Sequence, residues 1–214
     1  MPVVARFLTV KLRKWFPPDD RLAAKVARLS ILREDFALEM HGVYTENIEV
    51  LDGHSEPWRR LYFLRNLIRT LLEIRSGMES VVNDTDFKTL LRKQSPEVKR
   101  EFGRLTRLMA QAHPILKDIR NDICGHVLES AVSEALKEIS WDSFGFYEIG
   151  RIQKNSHFKF AGELVASILV KGTVDKEKAK ALGEKMAKIA DAFDVFPLIE
   201  RVLFMYAKDR GLLG

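Results

Sequence analysis

One cysteine, Cys124, is all the sequence holds, so no internal disulfide can form and no cluster of thiolates can hold a metal. Long apolar runs are missing as well: none approaches the ~18–20 residues that cross a bilayer. The opening stretch MPVVARFLTVKLRKWFPP has its apolar positions interrupted by Arg6, Lys11, Arg13 and Lys14. It offers neither the continuous apolar segment nor the small-residue cleavage site of a signal peptide. A reducing, cytoplasmic compartment is the expectation. Histidine is sparse, and His41, His54, His113 and His157 are scattered without a ligand spacing such as H-E-x-x-H, so no metal and no cofactor is expected. There is no glycine-rich phosphate loop, no G-x-S-x-G elbow, no internal repeat, no low-complexity tract and no linker long enough to separate a pair of domains.

What is present suits one helical domain over residues 1–214. Hydrophobic residues make up 46% of the chain and charged residues 30%, enough to bury a full core. The net charge of +5 is mild for a nucleic-acid binder, so its distribution carries more weight than its sum. Residues 1–33 hold eight Lys/Arg against Asp19 and Asp20, and residues 88–120 hold nine against Glu97, Glu101 and Asp118.

Periodicity predicts an all-α fold. Residues 3–16 read as a short amphipathic helix with Val4, Leu8, Leu12 and Trp15 on one stripe, stopped by Pro17-Pro18. Asp19 or Asp20 caps a helix over 21–40 that ends near Gly42. Ser55 and Pro57 start a long helix over 56–82. Its apolar face includes Arg75 and Glu79, four apart, which read either as a local ion pair or as supports of a polar pocket. A short helix over 84–93 follows, then one over 96–112 with Val98, Phe102, Leu105, Met109 and Ala112 on one face. Arg100, Arg104 and Arg107 fall opposite, as a solvated face or as a strip that tracks RNA phosphates. His113-Pro114 is expected to break this helix and begin another running to about Ile139, with Leu128, Val132, Ala135, Leu136 and Ile139 as its stripe. The helical period then fails among Trp141, Phe144, Phe146, Tyr147, Phe158 and Phe160, where a loop or a small β-hairpin near 144–160 is expected. These aromatics either cover the core or stack RNA bases between Arg151, Lys154 and Lys159. Helices over 161–171, 176–193 and from Pro197 to near Gly211 complete the chain.

The second basic segment leads into Ile119-Arg120-Asn121-Asp122-Ile123-Cys124-Gly125-His126. Six positions on a helix separate Arg120 and His126 by ~9 Å along the axis and about 120° around it. Two copies facing across a twofold axis would bring two arginines and two histidines into one cleft, and the small Cys124 and Gly125 would let the helices approach. Imidazole exchanges a proton near neutral pH, and a guanidinium answers the charge that builds on a phosphorane. Asn121 can hold the histidine or a phosphate oxygen. Asp122, four before His126, can orient its ring.

The pattern R-N-x-x-x-x-H resembles the motif of the HEPN superfamily, and the likeness extends loosely over residues 56–140, as long antiparallel helices followed by a motif helix. It implies a HEPN-like bundle with residues 141–214 as a C-terminal helical extension. It also implies a homodimer and metal-independent RNA cleavage with Arg120, Asn121 and His126 as catalytic residues. Family members serve in toxin–antitoxin pairs, antiviral defence and RNA processing, so an antitoxin or regulatory partner is a further implication. The HepT toxins carry a tyrosine two residues after the histidine; here that position is Leu128, so silencing through such a tyrosine is not expected. Against this stands a non-catalytic helical module that binds RNA by its basic faces or a protein by its aromatic segment. Peripheral membrane association through residues 3–16 is weaker, because core packing explains that stripe more simply.

Overall fold

Short polar side chains mark the helix starts, where their oxygens accept backbone N–H groups that a first turn leaves unpaired. The structure, a computed structural model, describes residues 11–44, 56–121, 129–138, 147–148, 157–158, 164–165, 167–168, 177, 180–181, 183–184, 187 and 195–211. Among them run seven helices: α1 (Leu12–Trp15), α2 (Arg21–Tyr44), α3 (Glu56–Val82), α4 (Thr85–Arg92), α5 (Pro96–Ile119), α6 (Glu129–Glu138) and α7 (Val195–Asp209). The Ala23 N–H donates to Asp20 at 3.0 Å to open α2. Asp84 accepts from Asp86 and Phe87 at 2.9 and 3.4 Å to open α4. Ser95 accepts from Val98 at 3.4 Å ahead of α5, with proline in that helix's first turn. Gly211, at φ 61°, lies just past the end of α7, where a left-handed residue is common.

The fold is all-α, apart from one short pairing. The segments β1 (Tyr147–Glu148) and β2 (His157–Phe158) pair antiparallel, Tyr147 opposite Phe158, inside the 144–160 stretch. Helical backbone also occurs at 164–165, 167–168 and at positions between 177 and 187. No helix among the described residues is long and apolar enough to cross a membrane.

The centre of the molecule is the long antiparallel pair α2–α3 with α7 packed on it. Leu22, Val26, Leu29 and Phe36 of α2 meet Leu67, Ile68, Leu71 and Ile74 of α3, all buried. Each such side chain contributes about 1.5–3 kcal/mol by leaving water. Two glycines set how closely the pair approaches. A Cβ on Gly42 would lie 2.5 Å from the Phe63 ring, and one on Gly77 would lie 2.8 Å from Leu29 Cδ2. Leu198, Ile199, Val202, Met205 and Tyr206 close the core from α7. Tyr206 stacks on Phe16 at 6.1 Å and donates to the Trp15 carbonyl at 2.6 Å, so the first helix is fastened to the last. The Lys25 ammonium reaches Asp84 at 2.6 Å. Burial alone would push that carboxyl up, but the Lys25 bond, two backbone N–H donors and the Lys25 charge hold it below its ordinary value.

Several boundaries differ from expectation. Helix α2 runs through Gly42 to Tyr44, two residues past it, and the glycine serves close packing against Phe63. The described part of the first helix is one turn, and Leu12, expected on its inward stripe, is exposed; Val4 and Leu8 lie outside the described residues. His113-Pro114 does not break α5, which continues to Ile119 with Pro114 inside it. Proline there forfeits one N–H and crowds the carbonyl four residues back, yet buried Ala112 and Leu116 on either side anchor both halves in the same core. The continuous helix expected over 114–139 is therefore described as two pieces, the end of α5 and α6. In α6, Ala135 is buried and Val132 half-buried, but Leu136 is exposed.

Candidate functional site

Helix α5 positions the residues singled out from the sequence. It is 24 residues long, about 36 Å at 1.5 Å per residue. Arg120 follows as its C-cap, with helical φ and ψ and its N–H returning to the carbonyls of Leu116 and Lys117. Arg120 and Asn121 adopt a wider π-type turn, and both are exposed. Such turns are rare and occur often at functional sites. Counting about 100° per residue, Arg120 shares its azimuth with Phe102, Met109 and Leu116 to within roughly 40°. Those three are buried; Arg120 projects from the core-facing side where the bundle has stopped covering it. Asp122 and His126 lie outside the described residues, as do Cys124, Gly125 and Leu128.

Arg100, Arg104 and Arg107 are exposed, as a ridge requires. With Lys99, Gly103, Glu97 and Glu101 they line a shallow, open depression along α5. Two carboxylates thus interleave with four cations, and Glu101 is itself paired with Arg201 of α7. The ridge lies roughly 140–160° around the helix from Arg120. The two groups of arginine therefore face different sides of the molecule, and the structure does not bring them together.

A third feature joins α3, α5 and α7. Arg75 and Glu79, one turn apart on α3, form an ion pair at 2.6 Å and line a partly enclosed cavity of about 230 Å³ with Met78, Val82, Asn83, Thr106, Met109, Ala110 and Leu198. The pair is thus local, and the cavity it lines is mainly apolar and meets α5 at Thr106, Met109 and Ala110, ahead of the motif stretch. One turn beyond Ala110 sits half-buried His113, whose Nδ1 is buried without a hydrogen-bond partner among the described residues. Burial, and then the positive charges of Arg75 and Lys117, push its proton affinity below the ordinary 6.5, against the opposing pull of Glu79. The imidazole is consequently neutral at physiological pH.

Comparison with family models, with curated proteins and with solved structures gave no match. What the site can do therefore follows from its own geometry. His113 and the pocket beside it do not stand out in the sequence, where His113 counts only as one of several scattered histidines. The available signal is its place four residues after Met109 and three before Leu116. That puts it on the apolar stripe of α5, but only if the helix is carried through Pro114.

Proposed function

We propose that the chain is a metal-independent endoribonuclease of HEPN type, acting as a homodimer through the Arg120–His126 stretch. The observation that supports this reading is the position of Arg120. It sits on the inward-facing side of α5, exposed beyond the covered core, so a second copy can meet it there. In the reaction, an imidazole removes the proton from a ribose 2′-OH and that oxygen bonds to the adjacent phosphorus. The P–O5′ bond breaks, a second acid delivers a proton to O5′, and the arginines offset the charge on the phosphorane. Products are a 2′,3′-cyclic phosphate and a 5′-OH end. Asn121 holds a phosphate oxygen or the imidazole, and Asp122 orients the ring. A toxin–antitoxin or antiviral setting, with an antitoxin or regulatory protein as partner, belongs to the same proposal.

A second reading, a non-catalytic module that binds RNA, is favoured by the separation of the ridge from Arg120. A strand lying along Arg100, Arg104 and Arg107 is not led toward the motif. The deciding experiment is incubation of the purified protein with RNA in EDTA. Cleavage leaving cyclic phosphate ends, abolished by His126→Ala in a chain that still melts cooperatively, supports the nuclease. RNA binding without cleavage by the wild-type protein supports the module. A monomer in solution that still cuts RNA would remove the shared-cleft mechanism.

A further inference from the structure

We propose that the cavity between α3, α5 and α7 is a binding site for a guanine base. The inference rests on the pocket alone and does not depend on the motif stretch or on RNA cleavage. At about 230 Å³ the cavity falls below the roughly 300–1,000 Å³ typical of drug-sized ligands, so it takes one flat ring system rather than a whole nucleotide. Its apolar walls are Met78, Met109 and Leu198, all buried, with Val82 packed against the same core. Thioether side chains adapt to the face and edge of an aromatic ring.

The polar wall selects the ring. Arg75, Glu79 and Asn83 follow one another at four-residue spacing, so a cationic fork, a carboxylate and an amide stand on one face of the chain at the end of α3. The ion pair engages one terminal nitrogen of Arg75 and Oε1 of Glu79. The pair sits at the rim, with the Glu79 side chain 56% exposed, and a hydrocarbon guest would cover part of it without replacing the water it loses. A phosphate or simple carboxylate would meet the negative charge of Glu79. The pair is complemented by a guest with an acceptor and two adjacent donors on a single edge. Guanine provides that edge: O6 faces the guanidinium, while N1–H and the 2-amino group face the carboxylate. Adenine offers the carboxylate one amino group and no neighbouring ring N–H. Its bond count is lower by one charge-assisted contact, a difference of about tenfold or more in affinity.

The test is calorimetric titration of the full chain with guanosine 5′-monophosphate and adenosine 5′-monophosphate. Expected are saturable binding of the guanosine nucleotide and at least tenfold weaker binding of the adenosine one. Glu79→Gln should weaken the guanosine nucleotide by about tenfold, since hydrogen bonds to charged groups are the stronger kind. Ala110→Phe, at an exposed position on the cavity wall, should fill the site and abolish binding with the helical circular dichroism retained. Equal affinity for the two nucleotides, no saturation in the millimolar range, or indifference to Glu79→Gln each overturns the proposal, whether or not Ala110→Phe folds. A parallel titration with an oligouridine, with and without a single guanosine, identifies the source. A guanosine preference that Glu79→Gln removes assigns the pocket to a base within RNA. Nucleotide binding without that preference assigns it to the free nucleotide.

Discussion

Between Pro96 and Ala112, α5 carries a serine cap, a proline in its first turn and a buried stripe of Phe102, Met109 and Ala112. Between His113 and Asn121 the same helix holds an interior proline, an imidazole nitrogen buried without a partner among the described residues, and a wider closing turn with an exposed arginine. The first half follows the local rules of a packed helix. The second departs from three of them within nine residues, running into the first two residues of the motif. Departures of this kind gather where function constrains the chain, and here they adjoin both the proposed cleft and the Arg75–Glu79 pocket. One helix thus acts as a beam of the core as far as Leu116 and, beyond it, as a platform at Arg120 and Asn121 that the core does not cover.

The contrast is sharpest in the cost of truncation. Phe102→Ala should lower unfolding stability by about 3–5 kcal/mol, the range for an aromatic removed from a packed core. Arg120→Ala should change it by less than about 0.5 kcal/mol, as for an exposed residue with no side-chain contact among the described residues. Urea denaturation of both variants decides the matter. Comparable losses would mean that Arg120 is held by contacts of structural weight, and the platform would belong to the beam.

Pro114→Ala comes next. A proline inside a helix costs up to about 3 kcal/mol relative to alanine, so this exchange should raise stability, offset somewhat by the freer unfolded chain. An increase of about 1–2 kcal/mol in the same denaturation experiment is expected. A decrease would show that the proline shapes the helix end, and the second half of α5 would then be rigid by construction rather than tolerated.

How much of this is legible in the sequence follows the same division. Helix α3 falls at its expected bounds, because Ser55, Pro57 and a long 3.6-residue apolar stripe, interrupted by Arg75 and Glu79, specify it together. Asp84 caps α4, where a helix over 84–93 would have placed it inside, and Ser95 caps the helix that starts at Pro96 as expected. Gly42 misleads, because a glycine near a helix end signals a cap, and whether a ring lies against it is a tertiary fact supplied by Phe63. Pro114 misleads for a similar reason: local propensity argues for a break, and burial of Ala112 and Leu116 overrides it. With a break placed at His113, that residue loses its place on the stripe and the pocket loses its neighbour. The Arg75–Glu79 pair is visible from spacing alone; the cavity needs α7, which is far away in sequence.

A smaller effect separates the halves by pH. His113 has its proton affinity lowered in the folded chain, by burial and then by Arg75 and Lys117. The sign follows by linkage. Above the ordinary value of 6.5 both folded and unfolded forms are neutral, and the group has no effect. As pH falls below it, the unfolded chain takes the proton more readily and stability is lost. His113→Leu should remove this contribution to the acid sensitivity, and at neutral pH it should be neutral or stabilising by about 1 kcal/mol, because the unpartnered nitrogen goes with it. Melting curves from pH 7.5 down to about 5 test this; parallel curves for wild type and variant would mean that the imidazole does find a partner.

The ridge should matter least to stability and most to contact with RNA. Arg100 and Arg107 are exposed on the side of α5 away from the core, so Arg100→Glu with Arg107→Glu should shift unfolding by under about 0.5 kcal/mol. If the ridge tracks phosphates, each lost contact on a single strand lowers the salt slope of log affinity by about 0.7, so the double variant should lower it by about 1.4. The geometry adds a stronger condition. Because the ridge faces away from Arg120 by more than a third of a turn, one strand on a single chain does not reach both without bending around the helix. The double variant should therefore weaken binding while leaving the position of any cut in a short RNA unchanged. A shifted cleavage position would mean that the ridge delivers the strand to the motif, and the division of α5 into beam and platform would have to give way to one continuous RNA-binding surface.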